Sequence, residues 1–525
     1  MQAEDYHATQ EDALLDGDYN LLPYPSMPFA YTQPSRLAAL SILFGLEAPA
    51  AARASVLELG CASGGNIIPL AARFANAYFI GIDRSERHIE QGRERIAGLG
   101  LSNIELRLGD LTNLKFSEQR FDYVICHGVF SWVPKTVQDA IFRICSENLT
   151  EHGVATISYN VLPGWHLRNI VRDICLHHVG TAGPPLERVA KARGVLESIA
   201  TSANETEPYG LLLRSEAKRI AGRPSAYILG EFLVPDNAPC YFHEFVERAG
   251  KYGLSFLCEG DLNSSIPQIR DPETRRRNKS LAGSSPMALE QYVDFLTGRT
   301  FRRSVLVRSQ HARHVKRNRS FERLRGLHFA SGIRVSAAPE RIEKFSADKD
   351  EQGQTGKTKH HSVRIALQRL AQAYPATLRL EQLTEDLPSE SVARICSALF
   401  ALVVAGQATA STLPTTVGRA DAEYPKMWSL ARIEAAGKQP WLTSLNHLPV
   451  PLRVAPMELV TLLDGTNRRR TLAGRGLNNG MAPPVGLAFG QNDAALEQAA
   501  DQYVERVLTQ LAFHALLEPA DPGVG

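Results

Sequence analysis

No window of the 525-residue chain approaches the eighteen or so consecutive apolar residues that a membrane span needs, so no membrane insertion is expected. Charge of one sign is also missing. Lys and Arg number 58 against 56 Asp and Glu, a net +2, which points to no polyanion and makes nucleic acid an unexpected partner. Cysteine is sparse: seven residues, odd in number, widely spread and without CxxC or CxxxC pairs. That spacing disfavours a disulfide framework and a zinc site, and leaves reduced, mostly buried thiols as the expectation, with no metal. The N-terminal stretch MQAEDYHATQEDALLDGDY is acidic and lacks the apolar core of a signal peptide, so a cytoplasmic location is expected. There is no clear internal repeat.

What is present is alternation. VLEL (56–59), AYFIGID (77–83), NIELRLGD (103–110), FDYVICH (121–127) and VATISYN (154–160) read as strands buried on both faces, separated by helical patterns such as SERHIEQGRERIAGLG and VQDAIFRICSENL. The two helices run into Gly100 and Gly153, as helix ends often do. A parallel sheet with right-handed crossovers follows. Beyond residue 180 the alternation is lost. VAKARGVLESIA, PYGLLLRSEAKRIAG and YFHEFVERAGKYGLSFL read as helices, and RRSVLVRS (302–309) as a strand. The basic stretches RDPETRRRNK and RHVKRNRSFERLR read as a solvated face. ADKDEQGQTGKTKHH (347–361) reads as a linker, followed by helix, short strand with helix, and helix, the order of a small winged-helix domain.

ELGCASGGN (58–66) sits where the first strand turns into the first helix. Gly60, Gly64 and Gly65 let backbone approach a ligand at the carboxyl edge of the sheet. Asp83 closes the second strand, where a carboxylate can accept from both ribose hydroxyls. Asp110 can accept from a purine amine while the backbone beside Leu111 reads the ring edge. Together these positions suit an adenosine ligand. The loop has no GxGxxG, and Glu58 repels pyrophosphate while suiting a cationic amino-acid group, so S-adenosylmethionine fits better than NAD.

These motifs resemble the class I S-adenosylmethionine-dependent methyltransferases, with VLELGCASGGN as the first motif, GIDRS the acidic second and GDL the adenine-reading third. The resemblance implies cofactor contacts at Glu58, Gly60, Ala62, Gly64, Asn66, Asp83, Asp110, Leu111 and His127. Ala62 stands where many members have glycine; it adds only a methyl group, so binding is still expected. The flanks YNLLPYPSMPFAYTQPSRLAAL, CHGVFSWVPK and SYNVLPGWHLRNIVRD, with SAYILGEFLVPDNAPCYFHEFVERAGKYGLSFLCEGDL and the tail PWLTSLNHLPVPLRVAPMELVTLLDGTNRRRTL, resemble methyltransferases that carry a methyltransferase regulatory domain. The rickettsial protein lysine methyltransferases, which modify an outer-membrane protein, are the members this implies. Gln33 departs from the THP that similar sequences often show.

The fold class expected is thus α/β, a Rossmann-like methyltransferase domain with a helical middle domain and a winged-helix-like C-terminal domain. The expected division is an N-terminal strap or lid at 1–35, catalytic domain 36–180, regulatory domain 181–345, linker 346–361 and C-terminal domain 362–525. His127 ends the fourth strand at the edge facing the methyl group, where it would take the acceptor's proton or contact the cofactor. Phe130, Trp132, Tyr159 and Trp165 are candidates for an aromatic acceptor wall, since rings suit both sulfonium and ammonium. Tyr24, in a proline-dense segment, is a candidate cofactor contact, as a lid lying across the cofactor. A protein or peptide acceptor, through a lysine amine, is expected. A small-molecule methyltransferase, or a non-catalytic cofactor-sensing module, is the alternative. The sequence sets no oligomeric state.

Overall fold

The strand Ser55–Leu59 (β1) carries Val56, Leu57 and Leu59 without exposure, the burial that contiguous apolar runs on a two-sided sheet demand. The computed structural model describes residues 26–180, 182–264, 271–318, 320–335, 341–344, 355–358, 360–481 and 493–519. In it β1 pairs in parallel with Tyr78–Asp83 (β2) and with Phe121–Cys126 (β4). Ile104–Leu108 (β3) lies parallel to β2, and Leu149–Asn160 (β5) parallel to β4. The short helices before and after β1 are Pro34–Leu43 (α1) and Ile67–Arg73 (α2). Glu86–Leu99 (α3) starts under a Ser85 side-chain cap and stops at Gly100, whose φ of 64° a side chain would resist. Lys135–Asn148 (α4) leads directly into β5.

Two stretches differ from the sequence expectation. Gly153 does not end α4 but lies inside β5, where an added Cβ would meet the Thr150 backbone nitrogen at 3.0 Å. In YFHEFVERAGKYGLSFL only Phe242–Lys251 is helical; Gly253, at φ 70°, turns the chain, and Leu254–Glu259 (β6) joins the sheet. Phe301–Arg308 (β7) is the expected strand, antiparallel to both β5 and β6. The seven-stranded order is β3-β2-β1-β4-β5-β7-β6, so the sheet takes two strands from beyond residue 180. Arg302 of β7 anchors them: fully buried, it donates to Glu259 at 2.7 Å and Asp294 at 2.8 Å.

Helices Gly164–Val179, Pro185–Ser202, Pro208–Ala221 and Ser225–Phe232 form a separate core around Val171, Leu196, Leu213 and Phe232. A further core joins Ala39 and Leu43 of α1 to Phe329 and to the helices His361–Ala373 and Val392–Val404. The last, from Met427 to Leu517, is built on Ser429–Ala436, Leu472–Asn478 and the long helix Asp493–Phe513. All seven cysteines are free. Among the described residues no helix is long and apolar enough to cross a membrane.

Candidate active site

The loop between β1 and α2 is closed from below by the sheet and from above by the segment that precedes α1. Gly60 and Gly64 have φ of 71° and 76°, and a Cβ on Gly60 would strike Val129 at 2.2 Å. Gly65 donates from its backbone to Ser26 Oγ at 2.8 Å, and a Cβ there would meet the Ser26 carbonyl at 2.2 Å. The strap thus lies directly on glycine backbone. Asn66 is the hub. Its Nδ2 donates to Glu58 Oε1 at 2.7 Å, while its Oδ1 accepts from Phe29 N at 2.9 Å and Thr32 Oγ1 at 3.1 Å.

Glu58 is 3% exposed, and its other oxygen, Oε2, is buried without a hydrogen-bond partner. Burial raises its carboxyl to about 8, against the Asn66 hydrogen bond, which lowers it. Asp83, at the end of β2, accepts from Ala62 N at 2.7 Å and from Ser85 N at 3.0 Å. Ala62 has φ of 46°, in the left-handed region that glycine enters freely and alanine enters at a cost of about 1 kcal/mol. The Asp83 bond holds it there. Asp110 is exposed, its Oδ1 accepting from Thr112 N and Oγ1 at 2.8 Å, and Leu111 beside it is buried.

His127 follows β4 and sits in a ring cluster with Phe29 at 3.8 Å and Phe301 at 6.0 Å between centroids. Its Nδ1 is hydrogen-bonded to the Tyr31 hydroxyl. Burial first, then the Arg303 charge, pulls the imidazole down to about 3, so the ring is neutral at pH 7. Burial raises the Tyr31 phenol, which leaves it protonated to donate to Nδ1. The Arg303 guanidinium lies over the Tyr31 ring at 4.7 Å and near Phe301 at 5.5 Å. Gly128, exposed with φ 71°, donates to Ser158 Oγ at 2.8 Å and turns the chain away from the sheet edge.

The four expected wall aromatics do not come together at that edge. Phe130 and Tyr159 have 0% and 1% exposure and pack on Phe245, Tyr159 stacking at 3.9 Å between centroids. They are core residues, because the helix Phe242–Lys251 covers them, and neither presents surface to an acceptor. Trp165 is fully buried, its Nε1 without a partner, and only Trp132, set edge-on to it at 5.8 Å, keeps exposed area. Tyr24 lies outside the described residues.

Several site residues carried no sequence signal. The hairpin Trp441–Thr443 and Pro449–Pro451 carries at its tip His447, in the left-handed region at φ 58°, whose Nε2 reaches Asn66 Oδ1 at 2.9 Å across 381 residues. Burial lowers this imidazole to about 3. Arg73 at the end of α2 donates to Gln33 Oε1 at 3.0 Å, to the Leu445 carbonyl at 2.5 Å and to Thr415 Oγ1 at 2.7 Å. Gln33 in turn donates to the Asn446 carbonyl at 3.0 Å. Gln33 therefore joins the strap to the C-terminal hairpin.

The residues fit S-adenosylmethionine. The orphaned Glu58 oxygen matches a ligand ammonium, and the glycine backbone leaves room beside it. Three family models match in succession: "Methyltransferase domain" at 51–183, "Predicted methyltransferase regulatory domain" at 224–308, and "PKMT, C-terminal winged helix domain" at 423–516. Two uncharacterized proteins of Rickettsia prowazekii are similar. RP028 is 36% identical over 240 residues, 46% of this chain and 96% of that protein. The chain belongs to the S-adenosylmethionine-dependent methyltransferases with a methyltransferase regulatory domain. The other relative, RP789, is 39% identical over 289 residues, 55% of the methyltransferase's chain and 52% of its own, so the chain spans about half the length of that relative. The solved structure of PKMT2 from Rickettsia typhi in complex with AdoHcy superposes with a TM-score of 0.82 at 26% identity, covering 94% of this methyltransferase and 100% of that chain. The regulatory-domain match contains β6 and β7, so that domain is built into the catalytic sheet. The winged-helix match lies inside the expected C-terminal domain 362–525 and falls on its last core, while the helices just after the expected linker pack in a separate core with α1.

Proposed function

We propose that the methyltransferase transfers a methyl group to the lysine amine of a protein acceptor in the cytoplasm. The observation that carries this reading is the likeness over 94% of the chain to PKMT2, including the PKMT winged-helix region. The likeness to the AdoHcy complex and the unpartnered Glu58 oxygen support the same cofactor site here. When bound, S-adenosylmethionine supplies a sulfonium methyl group for in-line displacement. Glu58 would hold the ammonium, with Asn66 fixing the carboxylate. Asp83 would take the ribose, Asp110 and the Leu111 backbone the adenine, and Gly60, Ala62 and Gly64 would line the amino-acid portion. Trp132 is the aromatic we retain at the acceptor side.

Of the two roles expected of His127, we propose the cofactor contact. An imidazole held near 3 is a weak base for an ammonium whose ordinary pKa is about 10.4. Its Nδ1 is engaged by Tyr31, which leaves Nε2–H as a donor. The acceptor amine then loses its proton to water before it enters, and the ring cluster of Phe29, Tyr31, His127 and Phe301 excludes water from the methyl group.

For the domain limits we propose three changes to the expected division: β6 and β7 belong with the catalytic sheet, Gly164–Val179 with the helices of 185–232, and Phe329 with the 361–404 helices. The deciding experiment incubates the enzyme and isotope-labelled cofactor with cell lysate and separates protein from small molecules. Label in protein lysine is the expected outcome; label confined to small molecules overturns the acceptor assignment.

A further inference from the structure

A cleft of about 390 Å³ lies outside the cofactor site, where three parts of the molecule meet. Its walls are α1, the Gly260–Ser264 loop after β6, Arg303 of β7, and the turn between Val392–Val404 and Thr409–Ser411. The volume lies in the range of ligand-binding clefts, large enough for a side chain with part of its backbone. Asn263 closes one wall against Gly406, where a Cβ would come within 2.6 Å of its amide.

The charges lining it are two guanidinium groups, Arg36 and Arg303, and one carboxylate, Asp261. Arg303 is ion-paired with Asp261, but its Nε is buried without a partner. Arg36 is partly buried and senses Asp261 and Tyr374 electrostatically. Among the described residues, its guanidinium makes neither an ion pair nor a hydrogen bond. One positive charge in a concave, half-desolvated setting is thus unbalanced, and such a group gains most from a carboxylate. The same Arg303 lies over the Tyr31 ring, whose hydroxyl holds His127, so the cleft adjoins the methyl-transfer end of the sheet.

We propose that this cleft binds an acidic side chain of the acceptor, a few residues from the methylated amine, with Arg36 as the specificity-determining contact. The assignment rests on the protein-lysine reading and narrows it to lysines with a nearby Asp or Glu. It also gives the regulatory strands and the 361–411 unit a joint role, because neither forms the cleft alone.

The test uses the full-length enzyme and synthetic lysine-centred peptides carrying Glu, Gln or Lys at each position within four residues. Wild type should favour Glu over Gln at a particular offset by roughly tenfold in kcat/KM, the worth of one charge-assisted hydrogen bond. In Arg36→Gln that ratio should collapse to about one, and in Arg36→Glu it should reverse toward the Lys peptide. Calorimetric titration with S-adenosylmethionine shows that each variant is folded. No acid preference in wild type, or a preference that survives Arg36→Gln, overturns the proposal. If wild type methylates no peptide, the lysine reading is what fails. Anisotropy with the fluorescent Glu and Gln peptides then decides the cleft: a Glu preference lost in Arg36→Gln supports it, and equal binding sinks it.

Discussion

Burial shifts Glu58 and His127 in opposite directions, and the consequence for charge is the same: both are mainly neutral at pH 7. The Glu58 carboxyl, near 8 in the free protein, is largely protonated at pH 7, yet a cofactor ammonium needs the carboxylate. Cofactor binding at pH 7 should therefore release close to one proton, and affinity should rise about tenfold per pH unit up to pH 8. Calorimetry in two buffers of different ionisation enthalpy measures that release directly. Glu58→Gln should abolish it and weaken binding by roughly 10- to 100-fold, the worth of a charge-assisted hydrogen bond. For folding the sign is the reverse: the folded value lies above the ordinary 4.5, so the stability from this group is full below 4.5 and is lost as pH rises through 8. For His127 the expected signature is joint loss. His127→Ala should lower cofactor affinity and turnover together, by about tenfold each, as for a hydrogen-bond donor facing the ligand. Turnover lost at unchanged affinity would restore the general-base role instead.

The element that converts the open glycine loop into a closed pocket is the strap of residues 26–33. It has little regular structure, and on the loop itself it makes three hydrogen bonds: Ser26 on Gly65, Phe29 N and Thr32 Oγ1 on Asn66. Because an added methyl at Gly65 would fall 2.2 Å from the Ser26 carbonyl, Gly65→Ala should displace the strap at a cost of about 1–3 kcal/mol. The expected result is cofactor affinity down by roughly tenfold or more and a new protease cleavage within 26–33. Gly98→Ala, with nothing within 4 Å, should change neither. The parallel strands β1, β2, β4 and β5 were legible in the sequence because burial on both faces leaves contiguous apolar runs; β3 falls on its expected run but is an edge strand, with Glu105 and Leu108 exposed rather than buried. Asp83 and Asp110 were legible as strand-end carboxylates for the same reason. The sheet membership of β6 and β7 was not, since the pairing that joins them to the sheet, β7 on β5, spans more than a hundred residues and leaves no local period. Phe130 and Tyr159 show the converse limit. An aromatic after a strand looks the same in sequence whether it faces a channel or a core, and here a distant helix covers both.

At the scale of the whole molecule, the cofactor loop is clamped by the C-terminal unit. His447 reaches Asn66, and Arg73 reaches Leu445 and Thr415, so the hub that orients Glu58 depends on a hairpin nearly four hundred residues away. The winged-helix unit thus has a route to the chemistry without touching substrate: if it undocks, Asn66 loses a donor and Glu58 its orientation. Sequence reading misses this because a single imidazole in an irregular loop has no periodicity and no motif. Replacing His447 by Ala should weaken cofactor binding by about 1–2 kcal/mol while the winged-helix core, centred on Leu430, Leu472 and Leu511, stays folded. The double variant Asn66→Ala with His447→Ala should cost less than the two single losses added, which is the mark of a shared contact. The clamp also has a pH signature. The folded imidazole lies near 3, below its ordinary 6.5, so the folded state binds fewer protons between those values. Stability from this contact is complete above 6.5 and falls with pH toward 3, by at most about 1.4 kcal/mol per unit for a single buried histidine. Thermal unfolding of full-length protein at pH 7 and pH 5 checks it: wild type should lose more of its Tm than His447→Gln. Equal losses would mean that His447 does not hold the two units together.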